Sequence, residues 1–181
     1  MRLTPEKNQP EIDTIRLILT LDCNLSCSYC CNKLESVKSR FVHKSFKEIN
    51  FPRYQNVCLT GGEPFLNKEL LNSVLRKVPT SKNIYIYSNG LLINDSDIND
   101  LLYYCVSFNN LISFNIGLHS INQLKHINPL IDKFFPVCFL ARDIYIERLL
   151  KAYPERLSLQ NLKGWHLNDC DLPNEDWVLL R

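Results

Sequence analysis

The feature that most constrains this chain is a regular alternation of short, apolar, β-branched runs with longer amphipathic ones. Six runs read as strands: residues 14–20, 56–60, 83–88, 112–118, 136–140 and 156–162. Each is bounded by turn residues, such as Gly61-Gly62 after the second and Asn89-Gly90 after the third. Helical patterns fall between them. Residues 67–77 put Leu70, Leu71, Val74 and Leu75 on one face and end before Pro79. Residues 94–105 open on Asn-Asp-Ser, a capping composition, and carry Ile98, Leu101 and Leu102. Residues 121–135 predict a helix kinked at Pro129, and residues 144–153 carry Ile146, Leu149 and Leu150. Residues 31–50 are less periodic and predict a helix only on that weaker pattern.

Strands alternating with helices imply parallel pairing through right-handed crossovers. A closed barrel of this kind takes eight strands and roughly 250 residues. The chain has 181 residues, so the pattern predicts an α/β fold in which a partial, laterally open (β/α)6 barrel forms. A doubly wound flat sheet is the alternative. The length suits a single domain over residues 1–181, with a core at about 14–162 and a C-terminal segment, 163–181, as cap or extension. In either architecture ligands bind at the C-terminal ends of the strands.

Charge and hydropathy exclude several classes. The net charge is +2, and no Lys/Arg block resembles a nucleic-acid arm. No apolar run approaches the roughly 20 residues that span a bilayer, and the first residues lack the apolar core of a signal peptide. The expected compartment is the cytoplasm. Eight cysteines are many there, and four fall together: Cys23, Cys27, Cys30 and Cys31. Cys58, Cys105 and Cys138 sit in apolar or aromatic contexts and read as small buried hydrophobes, whereas Cys170 lies alone in a polar stretch.

Cys23, Cys27 and Cys30 make a CxxxCxxC motif in the loop after the first strand. Three thiolates on a tight loop can hold an iron–sulfur cluster, leaving one iron open to an exogenous ligand. A structural zinc site, with Cys31 or His43 as fourth ligand, and unligated thiols are the alternatives.

CNLSCSYC, with Tyr29 before the last cysteine, resembles the signature of the radical S-adenosylmethionine (SAM) superfamily. Two further marks follow in order: Gly61-Gly62-Glu63-Pro64 after the second strand, and Ser88-Asn89-Gly90 after the third. The resemblance covers about residues 14–120. It implies that Cys23, Cys27 and Cys30 bind a [4Fe-4S] cluster whose open iron takes the methionyl group of SAM. It places Tyr29 by the adenine, and Gly61 and Gly62 where backbone approaches the ligand. It gives Glu63 and the adjacent backbone to the methionyl ammonium, and Ser88, Asn89 and Asn115 to the SAM ribose or carboxylate. Alternation puts Ser113, Asn115 and Gly117 on one face, and Gly117 departs from the serine common in the family. His119, at the end of that strand, is the candidate catalytic residue, as proton donor or substrate contact. Arg142 follows the fifth strand, where it can meet a carboxylate. Cys31 reads as a neighbour and not a ligand.

The implied reaction is one-electron cleavage of SAM to methionine and a 5′-deoxyadenosyl radical, which takes a hydrogen atom from a substrate. An electron donor such as flavodoxin or ferredoxin is the implied partner. The substrate, a peptide, a protein or a small molecule, is not legible. A non-catalytic iron–sulfur or zinc module acting through a partner protein is the reading from another class. Trp165 and Trp177 read as lid or core.

Overall fold

The computed structural model describes residues 12–166, 169 and 174–181, so Cys170 lies outside the described residues. Eight strands form one sheet: β1 (Thr14–Thr20), β2 (Val42–Lys44), β3 (Asn56–Gly61), β4 (Asn83–Ser88), β5 (Leu111–Leu118), β6 (Val137–Ala141), β7 (Leu162–Gly164) and β8 (Glu175–Leu180). Their order is β2-β8-β1-β3-β4-β5-β6-β7 and every pairing is parallel. β2 and β7 are the two edges and do not meet, so the barrel is partial and laterally open. The helices are α1 (Glu35–Lys38), α2 (Lys68–Leu75), α3 (Asp95–Phe108), α4 (Leu130–Phe134) and α5 (Asp143–Ala152).

The alternation of side chains explains the layering. Ile15, Leu17 and Leu19 of β1 bury in one core with Val57, Leu59, Ile84, Ile86, Phe114 and Ile116, under Leu71, Val74 and Leu75 of α2 and Ile98 and Leu101 of α3. The opposite parity faces the barrel interior and is largely polar. There Arg16 is 5% exposed and bidentate to Glu175 of β8, at 2.6 and 3.1 Å. Its guanidinium lies between the rings of Tyr87 and Trp177, 4.5 and 5.0 Å from their centroids. Cys58 and Cys138 also line this interior; of the three cysteines expected as small buried hydrophobes, Cys58 is buried (4% exposed), Cys105 is partly buried against the main core and Cys138 is partly buried.

Five of the six expected strands stand where the sequence puts them, to within a residue or two at each end. The sixth is displaced. Residues 156–161 are irregular, and β7 starts at Leu162. Arg156 holds that segment back: it pairs with Asp132 and donates to the carbonyls of Leu124, Ile127 and Asn128. The sheet has eight strands rather than six because β2 and β8 are added. β8 comes from the segment expected as cap or extension, and it lies between β1 and β2. Residues 31–50 form no continuous helix; they give two 3-10 turns around α1 and β2. Residues 121–135 are broken more than kinked, into a 3-10 turn at Gln123–His126 and α4 beyond Pro129. Pro129 lacks the N–H that continuity needs, and Asn128 accepts the Leu130 N–H instead (3.0 Å).

Candidate cofactor site

The three motif segments converge at the C-terminal ends of β1, β3, β4 and β5, around a cavity of about 540 Å³. Cys23, Cys27 and Cys30 line one part of its wall as free thiols. Gly61 and Gly62 line the next part, then Ser88 and Asn89, and then Asn115, Gly117 and His119. Tyr29 and Trp165 complete the wall, their rings 6.0 Å apart. A second cavity, of about 460 Å³, opens at the other end of the barrel and shares Tyr87 and Asn115 with the first.

Burial pushes the Cys23 and Cys27 thiols up, and nearby acidic groups add to it: Glu63 and Cys30 for Cys23, Cys30 and Cys23 for Cys27. Three thiolates so close repel one another, and a bound cation relieves that repulsion. Among the described residues no three His, Cys, Asp or Glu side chains are spaced for a single metal ion. A four-iron cube spans more widely than one ion, so the thiols suit the cube better than zinc. His43, considered as a zinc ligand, is exposed on β2 and does not line the cavity. Cys31 packs on the small cluster of Ile18, Val37 and Trp177.

Glu63 does not line the cavity. It is fully buried behind it, and its carboxylate accepts from the Phe65 N–H (3.1 Å), the Ser88 hydroxyl (2.8 Å) and the Asn89 N–H (2.8 Å). Burial raises its pKa and these three donors oppose the rise. Its side chain braces the turn after β3 to the turn after β4. Asn89 extends the brace to the cysteine loop, donating from Nδ2 to Asn24 Oδ1 (2.8 Å) and, more distantly, to Cys23 Sγ (3.9 Å). The Asn24 partnership has no sequence signal, because it joins residues 65 apart.

The two glycines have a reason the sequence does not show. A Cβ on Gly61, where φ is +139°, would stand 2.1 Å from the Thr20 carbonyl oxygen. One on Gly62 would stand 1.9 Å from that of Asp22. The backbone that presses on Gly61 is the end of β1, and the backbone that presses on Gly62 is the start of the cysteine loop. Glycine here lets the end of β1 and the loop that follows it lie close against β3.

Arg142 borders a separate recess beside the main cavity, with its guanidinium 5.1 Å from the Tyr29 ring centroid. Trp165, left between lid and core by the sequence, is a wall of the site, while Trp177 is 7% exposed and belongs to the interior.

Residues 17–153 match the profile of the Radical SAM superfamily. The chain belongs to that superfamily. Members use a [4Fe-4S] cluster and SAM, and the convergence of the three motif segments on one cavity is the arrangement such cofactors need. Among curated proteins, a GTP 3′,8-cyclase of Clostridium perfringens is 30% identical over 131 residues, covering 65% of this chain and 38% of the relative. A probable GTP 3′,8-cyclase of Pyrococcus horikoshii is 26% identical over 179 residues, covering 94% and 52%. A probable GTP 3′,8-cyclase of Archaeoglobus fulgidus is 32% identical over 90 residues, covering 45% and 29%. The chain thus spans about half the length of these relatives, or less. No described helix is long and apolar enough to cross a membrane.

Proposed function

We propose that this radical SAM chain is an enzyme that cleaves SAM reductively and passes the resulting radical to a small-molecule substrate. The observation that carries the reading is the single cavity with three free thiols on one wall and Gly61-Gly62, Ser88-Asn89 and Asn115 on the others. Cys23, Cys27 and Cys30 are the ligands of the [4Fe-4S] cluster. When bound, that cluster supplies the electron that breaks the S–C5′ bond of SAM, giving methionine and a hydrogen-abstracting 5′-deoxyadenosyl radical.

The chain's own residues bind, orient and exclude water. Gly62 seats the cysteine loop, Gly61 lies against the end of β1 that leads into it, and the Glu63 brace fixes the strand ends around them. Asn115 presents an amide with no hydrogen-bond partner among the described residues, so it is available to the ligand. Tyr29 and Trp165 offer flat apolar faces for a purine. The names of the relatives make GTP the first substrate to test. The electron donor is a flavodoxin or ferredoxin, and the compartment is the cytoplasm, where thiols stay reduced.

Anaerobic reconstitution with iron and sulfide, followed by dithionite and SAM, tests the reading. The expected product is 5′-deoxyadenosine, with more formed when GTP is the substrate. A chain with full iron that yields none refutes the enzyme reading and favours the non-catalytic module.

A further inference from the structure

Asn89 directly follows β4 and is 5% exposed. Each of its four polar groups has a partner within the protein. Its backbone N–H donates to Glu63 Oε2 (2.8 Å), and its carbonyl accepts from Gln123 Nε2 (2.8 Å). Its side-chain oxygen accepts the Leu91 N–H (3.0 Å). That bond settles which end of the amide is oxygen, and turns the nitrogen toward the cysteine loop. There Nδ2 donates to Asn24 Oδ1 (2.8 Å), with Cys23 Sγ further off at 3.9 Å. Three contacts thus fix the amide, and the fourth is delivered to the loop.

Asn24 stands between Cys23 and Leu25, and the Leu25 N–H donates to Cys23 Sγ (3.4 Å). Pinning Asn24 from the β4 side therefore holds the short turn that aims this N–H at the sulfur. The three thiols differ in this respect. Cys23 Sγ has the Leu25 N–H and the Asn89 amide directed at it. Among the described residues no N–H is directed at the sulfur of Cys27 or Cys30. The cation beside Cys27, Lys33, donates to its backbone carbonyl (2.6 Å) instead.

Reduction adds negative charge to an iron–sulfur cluster and its thiolates. An N–H aimed at a ligating sulfur stabilises that charge, and hydrogen bonds of this kind set reduction potentials. A side chain that holds such donors in place acts on the potential without touching iron.

We propose that Asn89 is a positioning residue for the Cys23 thiolate: through Asn24 it holds the N–H donors on that sulfur and raises the reduction potential of the cluster bound there. The proposal rests on the reading of Cys23, Cys27 and Cys30 as ligands of a [4Fe-4S] cluster.

Potentiometric titration of the anaerobically reconstituted chain, without SAM or substrate and followed by the electron paramagnetic resonance of the reduced cluster, tests it. Asn24→Ala removes the acceptor from an exposed loop residue and leaves the Glu63, Gln123 and Leu91 contacts of Asn89 in place. It should lower the midpoint by about 59 mV, a tenfold change in a one-electron equilibrium, at unchanged iron content. The melt of its metal-free form should stay at the wild-type value, whereas a merely structural role would move the melt and leave the potential. Asn89→Ala should lower the midpoint at least as far. The double variant should go no further than Asn89→Ala alone, because the two side chains act through one contact. Where Asn89→Ala loses iron, Asn24→Ala decides alone. A midpoint in Asn24→Ala that rises, or that keeps the reduction equilibrium within about twofold of wild type, overturns the proposal. So do additive shifts in the double variant, and so does loss of iron in both single variants, which makes the bridge an anchor of the loop and nothing more. A wild-type chain that takes up no [4Fe-4S] cluster overturns the underlying reading instead.

Discussion

Gly62→Ala asks whether the glycines serve the ligand or the loop. The added methyl would stand 1.9 Å from the Asp22 carbonyl oxygen and 2.4 Å from its carbon, both backbone atoms that no rotamer can move. To bring the nearer contact beyond 3.0 Å, the loop or strand must shift by about 1.1 Å. Asp22 directly precedes Cys23, so that shift is passed to a thiol. Metal–ligand distances hold to about 0.2 Å, so the displacement exceeds what a cluster ligand tolerates by roughly fivefold. The same shift strains the bonds from Gly62 N–H to the Thr20 carbonyl (2.7 Å) and from Glu63 N–H to the Asp22 carbonyl (2.8 Å). At about 1 kcal/mol each, their loss removes about 2 kcal/mol. For a chain of this size that lowers the melting temperature by roughly 4–8 °C. The expected result is a lower melt for the metal-free chain and, after reconstitution, well under the wild-type iron content. Iron content and melting temperature equal to wild type, with only SAM affinity reduced, would refute the reasoning and return the space to the ligand.

Three further outcomes follow from the same geometry. Cys23→Ala, Cys27→Ala and Cys30→Ala should each abolish the brown, roughly four-iron form, while Cys31→Ala should keep it; iron retained by Cys30→Ala and lost by Cys31→Ala would overturn the assignment. Glu175→Ala leaves the buried Arg16 unpaired, at a cost of about 3–5 kcal/mol, and should detach β8 and with it β2, whose sole strand partner among the described residues is β8. Trp177 fluorescence should report that loss as a melt lowered by roughly 6–20 °C, and an unchanged melt would show that the pair does not hold the strand. His119 is held below its ordinary pKa, so the unfolded chain binds more protons than the folded one as pH falls through about 6.5, and its stability contribution is lost there. The metal-free melt should therefore fall between about pH 7.5 and about pH 5.5, and His119→Phe should flatten that fall; an equal slope in the variant would show that other groups carry it.

Local pattern by itself determined five strands, the starts of α2, α3 and α5 and the cysteine motif. Asn94, read as a cap, accepts the Asp97 N–H while the Asp97 carboxylate accepts the Asn94 N–H, a contact complete within four residues. Likewise, β-branched runs ending in glycine or asparagine mark parallel strands whose ends gather in one place, so the order of the motifs already implied a common site. What spans the chain was not legible. Glu175-Asp176 looks like a solvated start to a short tail until Arg16, 159 residues away, neutralises Glu175 inside the barrel and makes β8 an interior strand. Arg156 sits in a strand-like run, but its donors are drawn to carbonyls 28 to 32 residues earlier. The reasons for Gly61, Gly62 and Gly117 are likewise tertiary, because a glycine records only that space is needed. Which atoms need it, the backbone at the end of β1 for Gly61, that of the cysteine loop for Gly62 and a histidine ring for Gly117, is decided when the strands are packed side by side.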